Sequence, residues 1–333
     1  SIRPHAKTHK CSILARRQIQ AGAIGLCVAK LSEAEGLINA GLRNILITSP
    51  IATKQKAERL ATLVLREPTT MVVIDHLESA GMLDGVLATL GLSMEVLVDI
   101  NVGLFRTGVA PARAVELARR VMDMTSLRVK GIQAYAGQVQ HIQSYEGRKR
   151  ASLDSMQKAA AVFRDMRAGG IPCEMFSGAG TGTYDIDLGI PELTELQVGS
   201  YVLMDAEYLD IRAAGDQPMS VAMPPPLTLL TTVVSANQKG FVTVDAGMKS
   251  LYRHGGIPRV LSRDGVEYTY DWFGDEFGKI TFPLGAPPPK VGSVFELIVS
   301  HCDPTVNQFD DFCVCQDGTV VETWPIDLRG RSQ

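Results

Sequence analysis

The sequence has no marked excess of charge of either sign and no apolar segment long enough to cross a membrane. Lysine and arginine together number 33, against 36 aspartate and glutamate residues, and the formal net charge is −3. Without a basic stripe, the chain lacks the electrostatic footprint of a nucleic-acid-binding protein. A membrane-spanning helix needs about 20 consecutive apolar residues, and neither such a run nor a signal-peptide pattern is present. We therefore expect no nucleic-acid partner and no membrane partner.

Cysteines are also few, and their spacing is not that of a zinc finger. The six cysteines are Cys11, Cys27, Cys173, Cys302, Cys313 and Cys315. So few cysteines in a chain of 333 residues are typical of reduced thiols in a cytoplasmic protein. The chain starts at Ser1 and enters at once what looks like a core strand, so we expect that a further segment precedes it.

The first two thirds of the chain alternate between short β-rich runs and helix-like stretches. The runs are 2–5, 24–29, 44–48, 71–75, 95–100, 131–135, 173–177 and 195–198. Apolar residues at three- and four-residue spacing predict helices between them, for example at 111–122 and 152–166. Eight strand-helix units in about 200 residues predict a (β/α)8 barrel of the TIM type. An open doubly wound sheet is the alternative, although such sheets more often have fewer strands.

The pattern changes near residue 210, where several prolines interrupt it. The β-like runs that follow are 227–235, 240–245, 267–271, 279–282, 293–299, 311–315 and 319–323. No helix-length periodic segment is evident among them, so residues 215–333 are predicted to form an antiparallel β-domain. Residues 1–214 are assigned to the barrel.

A basic segment opens the chain: Arg3-Pro4-His5-Ala6-Lys7-Thr8-His9-Lys10. Side chains alternate across a strand, so His5 and Lys7 would share a face near the C-terminal end, where barrels carry their active sites. A lysine in a partly desolvated site near other cations has a lowered pKa and can form an imine. Arg3, His5 and His9 are expected to supply that setting. Composition alone favours a solvated chain start, and Lys10 is the competing lysine.

Two glycine-rich loops follow the last two predicted strands. The first contains Ser177, Gly178, Gly180, Thr181, Gly182 and Thr183, and the second contains Gly199, Ser200 and Tyr201. Backbone N–H groups and hydroxyls in such loops suit a phosphate group. A single glycine-rich loop is usually an ordinary turn. Barrels often bind phosphate after strands seven and eight, however, so the coincidence of position favours a phosphate site.

Further candidate site residues follow the central strands of the barrel or lie in the predicted β-domain. Tyr135 ends the sixth strand and His141 lies in the next loop, where an imidazole could act as a general base or simply face solvent. Arg106, after the fifth strand, could pair with a phenolate or carboxylate, or only tie its loop to the barrel. On a strand, His301 and Asp303 would share one face while Cys302 points away. This pair favours a hard ion such as Mn²⁺ or Mg²⁺ over Zn²⁺, although His-x-Asp triplets are common on surfaces.

Together these motifs resemble the fold-type III pyridoxal 5′-phosphate (PLP) enzymes that include D-threonine aldolase and D-serine dehydratase. The resemblance covers essentially the whole chain in order, through the segments 3–10, 98–103, 177–183, 244–247 and 301–307. It implies an alanine-racemase-like barrel with a β-domain, a homodimer, and a small amino-acid substrate. It departs from the family at the start, where the family has a strand and a helix before the lysine motif.

The resemblance also assigns roles to residues. It makes Lys7 the lysine that holds PLP, places Tyr135 near the pyridine nitrogen and Arg106 near the phenolic oxygen, and makes His141 the catalytic histidine. The phosphate cradle corresponds to the segments 178–183 and 199–201, and His301 with Asp303 corresponds to the metal ligands.

The metal pair discriminates between members of the family. D-serine dehydratase-like members tend to carry His-x-Cys and zinc, whereas the aldolases tend to carry His-x-Asp and Mn²⁺ or a similar ion. Asp303 therefore favours an aldolase that cleaves D-3-hydroxy amino acids to glycine and an aldehyde. A β-eliminating dehydratase of D-serine or D-3-hydroxyaspartate type, a racemase and a non-catalytic PLP carrier stay open as alternatives.

Overall fold

The computed structural model describes residues 1–261 and 265–333. It separates into two compact units, Ser1–Gly199 together with Gly330–Gln333, and Ser200–Arg329. Residue 214, where the sequence pattern places the end of the barrel, lies in the second unit, in the short 3-10 helix Ala214–Asp216. In the part of the chain that is described, no helix is long and apolar enough to cross a membrane.

The first unit is a parallel sheet with helices between its strands. Its strands are β1 (Leu26–Val28), β2 (Ile45–Ile47), β3 (Met71–Ile74), β4 (Met94–Ile100), β5 (Leu127–Ala134), β6 (Met175–Gly178) and β7 (Glu195–Leu196). Its helices are α1 (Ser12–Gln20), α2 (Leu31–Asn39), α3 (Lys54–Arg66), α4 (Leu77–Thr89), α5 (Pro111–Met122), α6 (Tyr145–Ala168) and α7 (Tyr184–Asp187). The strands follow one another across the sheet in chain order. Strands β1 to β3 are fully buried, as expected for a parallel sheet covered by helices.

Residues 2–5 close this sheet into a barrel, because they pair with both of its edges. The Arg3 N–H donates to the Leu196 carbonyl at 2.9 Å on one side, and the Cys27 N–H donates to the Pro4 carbonyl at 2.8 Å on the other. Pro4 has no N–H to donate, so the pairing is reduced to isolated bridges rather than a full ladder. The predicted barrel is confirmed, and the open doubly wound alternative is wrong.

The second unit contains an antiparallel sheet, as predicted. Its strands are β8 (Thr228–Ser235), β9 (Phe241–Val244), β10 (Arg259–Val260), β11 (Thr269–Trp272), β12 (Gly278–Thr281) and β13 (Val294–Ile298), in the order β10-β13-β8-β9-β12-β11. A separate hairpin is formed by β14 (Asp311–Gln316) and β15 (Thr319–Pro325). The short strand β10 has no counterpart among the predicted runs.

The second unit also has three short helices that were not predicted. It contains α8 (Ala206–Leu209), α9 (Met219–Ala222) and α10 (Cys302–Val306). Each is four or five residues long, which is too short to leave a helical period in the sequence. Helix α10 contains Asp303 of the predicted metal pair.

One face of the barrel sheet changes from apolar to polar toward the C-terminal ends of the strands. A buried cluster on this face is formed by Cys27, Leu46, Met71, Val73 and Leu97. Strand residues two positions apart point to the same side. Thr48 therefore follows Leu46 on this face, Asp75 follows Val73, and Asp99 follows Leu97. The fold thus places a polar layer where barrel enzymes carry their active sites.

Candidate active site

The polar layer forms a connected hydrogen-bond network inside the barrel. The Gln133 amide donates to Asp99 Oδ1 at 3.0 Å and accepts from Gln197 Nε2 at 3.1 Å. Gln197 also donates to Ser177 Oγ at 2.8 Å, and Ser177 donates to Glu195 Oε1 at 2.6 Å. Burial raises the pKa of Asp99, although its hydrogen bonds to Gln133 and Thr107 oppose the shift. These buried groups hold one another in place beneath the mouth of the barrel.

Arg106 and Tyr135 meet at a cavity in this mouth. Its lining residues are Thr48, Asp99, Ile100, Asn101, Val102, Leu104, Arg106, Thr107, Gln133 and Tyr135. The loop that carries Arg106 is folded back by Asn101, whose Oδ1 accepts the N–H groups of Gly103 and Phe105, and by the Gly108 N–H donated to Asp75. The structure therefore brings two of the predicted cofactor residues to one cavity.

The position of the Tyr135 ring depends on a glycine. A Cβ atom added to Gly137 would lie 2.7 Å from Tyr135 Cε1 and 3.1 Å from Leu104 Cδ2. Real Cβ atoms do not approach other atoms this closely, so any side chain at this position would displace the ring. The Gly137–Val139 3-10 helix can pack against Tyr135 only because residue 137 has no side chain.

Lys7 lies in a turn at residues 6–9, directly after the closing strand, and its side chain is half-buried. The expectation that His5 and Lys7 share a strand face is wrong, because the strand pairing ends at His5 and the Lys10 N–H donates to the Ala6 carbonyl at 2.8 Å. His5 points its Nε2 at Thr48 Oγ1, 3.1 Å away. Lys7 nonetheless lies at the C-terminal end of its strand, as predicted.

The cations expected around Lys7 are occupied elsewhere. Arg3 pairs with the buried carboxylate of Glu195 at 3.0 Å, which neutralises its charge. His9 accepts the Cys11 N–H on its Nδ1 at 3.1 Å and places Nε2 at 3.2 Å from Gln18 Oε1. A ring that accepts on Nδ1 is uncharged, with its proton on Nε2.

Lys10, the competing lysine, has a structural role. Its Nζ lies 2.6 Å from Glu33 Oε1, and both side chains are buried. The other carboxylate oxygen of Glu33 accepts the N–H groups of Ala29 and Lys30. The Lys10 amino group is engaged by this buried carboxylate, so Lys10 is poorly placed to form an imine.

The first glycine-rich loop is held by hydrogen bonds of its own. Ser177 and Gly178 belong to β6, and the loop proper begins after them. The Gln140 side chain accepts the Gly182 N–H at 3.0 Å and donates to Thr183 Oγ1 at 3.1 Å. Thr183 in turn donates to Asp187 Oδ2 at 2.6 Å. The donors of Gly182 and Thr183 are therefore engaged within the loop.

The second glycine position offers a better fit to a phosphate group. The hydroxyl of Thr8 is fully buried and makes no hydrogen bond to any described residue. A Cβ atom added to Gly199 would lie 2.8 Å from that hydroxyl, so the hydroxyl can lie this close to the backbone only because residue 199 is glycine. A buried hydroxyl without a partner costs free energy, and an anion beside Gly199 would accept its hydrogen bond. Ser200 and Tyr201 follow in the chain as a 3-10 helix, Ser200–Val202.

His141 is exposed, in a turn that is fixed on both sides. Gln140 before it binds the glycine-rich loop as described. The buried Arg148 after it donates from Nη1 to the Ile142 carbonyl at 2.7 Å and from Nε to the Gly182 carbonyl at 2.6 Å. The same guanidinium thus connects the His141 turn with the glycine-rich loop. Sequence reasoning missed Arg148, because no local pattern distinguishes it from other helix arginines.

The predicted metal pair lies in the second unit, with a geometry that differs from the expected strand. His301 is the residue before α10 and Asp303 is in its first turn, so the expectation of a shared strand face is wrong. Cys302 does not point away from the pair either, since it is fully buried and its Sγ lies 3.6 Å from Asp303 Oδ1. A helix N-terminus favours a carboxylate in its first turn, which explains the local structure.

Carboxylates surround the His301 ring. Asp205 Oδ2 lies 2.9 Å from Nδ1, and Glu207 Oε2 lies 3.4 Å from the same nitrogen. Burial alone would lower the pKa of His301, but the hydrogen bond with Asp205 and the charges of Asp303, Asp205 and Glu207 raise it above its ordinary value. An imidazole in such an anionic environment suits a bound cation, so the residues present fit a divalent metal.

Comparisons with known proteins decide the family. The model of the alanine racemase N-terminal domain matches residues 2–207, and that of a putative serine dehydratase domain matches residues 226–315. A D-threonine aldolase from Arthrobacter sp. is 35% identical over 100% of this chain and 86% of its own length. The chain belongs to the D-threonine aldolase and D-serine dehydratase family. It is accordingly a PLP-dependent enzyme, as the motifs predicted.

Further relatives support the same family. A 3-hydroxy-D-aspartate aldolase from Paracoccus denitrificans is 34% identical over 99% of this chain and 85% of its own length. The crystal structure of a D-threonine aldolase from Filomicrobium marinum superposes with a TM-score of 0.93 at 36% identity, covering 100% of this chain and 88% of the other. The alanine-racemase-like fold predicted from the sequence is thereby confirmed.

Proposed function

We propose that the protein is a metal-dependent aldolase that cleaves D-3-hydroxy amino acids of the D-threonine type to glycine and an aldehyde. The observation that carries this proposal is the pairing of His301 with Asp303 in an anionic setting, where an imidazole and a carboxylate could hold Mn²⁺ or Mg²⁺ more readily than Zn²⁺. The aldolases among the relatives support carbon–carbon cleavage.

Lys7 is proposed to hold PLP. Its competitor Lys10 is paired with Glu33, and the unsatisfied hydroxyl of Thr8 beside Gly199 provides a place for the phosphate group. Arg106 and Tyr135 line one cavity at the mouth of the barrel and would orient the pyridine ring. The remaining predicted phosphate residues are Ser177, Gly178, Gly180, Thr181, Gly182, Thr183, Ser200 and Tyr201. PLP supplies an electron sink that stabilises negative charge at the Cα atom of an amino acid.

His141 is proposed as the general base. Its imidazole is exposed, and its turn is fixed by Gln140 and Arg148, which limits how far the ring can move. A divalent cation at His301 and Asp303 would act as a Lewis acid and lower the pKa of the β-hydroxyl group of the substrate. His141 then accepts the hydroxyl proton as the bond between Cα and Cβ breaks.

A dehydratase is the second candidate, and the match of residues 226–315 to a putative serine dehydratase domain favours it. The same cation would then assist departure of the β-hydroxyl group instead of its deprotonation. The products distinguish the two reactions. Purified protein with PLP, Mn²⁺ and D-threonine should release acetaldehyde and glycine; ammonia and a 2-oxo acid in their place would establish the dehydratase.

The cofactor lysine can be tested independently of the substrate. Borohydride should fix PLP covalently and abolish its visible absorption band, and peptide mapping should find the label on Lys7. Lys7→Arg should lose the band, whereas the matched variant Lys10→Arg should keep it, because arginine retains the ion pair with Glu33. A label on Lys10 in the native protein would contradict the assignment.

We further propose that the enzyme is a cytoplasmic homodimer. Cys27, Cys173, Cys302, Cys313 and Cys315 are thiols outside any disulfide, which suits a reducing compartment. The β14–β15 hairpin is exposed over most of its length, including Val320 and Val321, and a two-stranded hairpin gains stability from packing against a further surface. Sedimentation equilibrium should give a mass of about twice the 36.0 kDa chain.

A further inference from the structure

A fully buried carboxylate, Asp205, lies directly behind the predicted metal ligand His301. Asp205 Oδ2 accepts a hydrogen bond from His301 Nδ1 and another from the Cys302 N–H, both at 2.9 Å. Its other oxygen, Oδ1, accepts the Tyr208 N–H at 3.2 Å and thereby caps helix α8. The three contacts join the start of α8 to the start of α10, across 96 positions of the chain.

These hydrogen bonds make Asp205 a poor metal ligand in its own right. Both carboxylate oxygens already accept N–H donors, and the side chain has no exposed surface. An ion that recruited Asp205 would have to displace the backbone N–H groups of Cys302 and Tyr208. Leaving such donors buried without an acceptor is costly.

The same bonds fix which nitrogen of His301 can bind a metal. A carboxylate accepts hydrogen bonds but cannot donate them, so the proton of a neutral His301 ring is held on Nδ1. The lone pair is then on Nε2, and the hydrogen bond from Nδ1 to Asp205 fixes the orientation of the ring. Histidine ligands in metal sites are commonly held in this way by a carboxylate, which also strengthens the imidazole as a donor.

We propose that Asp205 is a positioning residue for the metal site: it holds His301 in the Nδ1–H form, oriented so that Nε2 can bind the divalent cation. This inference rests on the proposed function, which takes His301 and Asp303 as the ligands. The Glu207 carboxylate assists this positioning, since its Oε2 lies 3.4 Å from His301 Nδ1. Gly255 leaves room for that carboxylate, because a Cβ at residue 255 would lie 2.1 Å from Glu207 Oε1.

Asp205→Asn tests the proposal with almost no change of volume. Asparagine has one oxygen and one amide nitrogen. If the oxygen faces His301 and Cys302, the amide opposes the Tyr208 N–H; if the oxygen faces Tyr208, the amide donates to Nδ1 and moves the ring proton to Nε2, where it blocks the metal. The first arrangement removes the negative charge that strengthens the imidazole as a metal ligand, and the second blocks Nε2, so we expect Mn²⁺ affinity to fall by about 10- to 100-fold. Mn²⁺ titration of the PLP-loaded enzyme, followed by electron paramagnetic resonance, measures the affinity directly.

Three further variants make the test specific. Asp205→Ser removes both carboxylate oxygens but introduces a residue type that caps helix N-termini well. It therefore provides a second test if the asparagine variant does not fold, and it should also bind Mn²⁺ weakly. Asp210→Asn removes the same charge from the residue after α8, where Asp210 is exposed and paired with Arg259, and should leave affinity within about twofold. His301→Ala should abolish the site.

The outcomes separate this inference from the proposed function. Weak Mn²⁺ binding by Asp205→Asn, with a single cooperative unfolding transition and an unchanged PLP absorption band, supports the positioning role. Native affinity in both Asp205 variants, with binding lost in His301→Ala, overturns the positioning role and leaves the aldolase proposal intact. If the native protein and His301→Ala bind Mn²⁺ equally, the metal site itself is refuted, and the role of Asp205 is refuted with it.

Discussion

Asp187 should make the stability of the barrel depend on pH, and Asp187→Asn should remove that dependence. The carboxyl group is fully buried and accepts hydrogen bonds from Ser152 and Thr183, both at 2.6 Å. Burial raises its pKa from 3.8 to about 6, although the two hydroxyls oppose the shift. The folded protein therefore holds this proton more tightly than the unfolded chain does.

The direction and the magnitude follow from that difference. Where a folded-state pKa is above the unfolded value, stability falls as pH rises between the two, here from about 4 to about 6. A shift of about two pKa units corresponds to about 3 kcal/mol, of which about 2 to 3 kcal/mol is lost between pH 4 and pH 8. Asparagine cannot ionise, so the stability of Asp187→Asn relative to the native protein should rise by that amount over the same interval.

Urea unfolding of the PLP-loaded enzyme at pH 4, 5, 6 and 8, followed by far-ultraviolet circular dichroism, measures this change. Any fixed cost of the new amide is the same at every pH and cancels from the comparison. Asp154→Asn, on the exposed face of the helix that carries Ser152, is the matched control and should show no such trend. The reasoning fails if Asp187→Asn and the native protein keep a constant difference in stability from pH 4 to pH 8.

Three other predictions concern the cofactor, the base and the metal. Gly199→Ala places a Cβ 2.8 Å from Thr8 Oγ1 and should weaken PLP binding about tenfold or more in an absorbance titration, whereas Gly85→Ala, in open space on α4, should leave it unchanged. Arg148→Met removes the donors that fix the His141 turn and should lower kcat by about tenfold or more with a smaller effect on KM; an unchanged kcat would show that the turn holds itself. EDTA should abolish aldolase activity and Mn²⁺ should restore it, and cleavage of D-threonine that survives EDTA would refute the role of the metal.

Several parts of the site could be predicted because they depend on local sequence. The glycines after the last two strands, Tyr135 at the end of β5 and Lys7 after the closing strand all follow from the order of strands and turns. Their neighbours could not be assigned in this way. Arg3 was expected to be a cation near Lys7, yet it is neutralised by Glu195 from the far edge of the sheet.

The sequence by itself determined the barrel and the antiparallel β-domain, and it predicted a set of candidate site residues. It could do so because strand alternation, helical period and turn residues are set within a few neighbouring positions. Only the tertiary structure decided which lysine is held in an ion pair, which glycine lies against a buried hydroxyl without a partner, and that His301 precedes a helix and contacts Asp205. Those features depend on contacts between residues far apart in the chain, and burial, charge and hydrogen bonding at such contacts leave no periodic signal in the sequence.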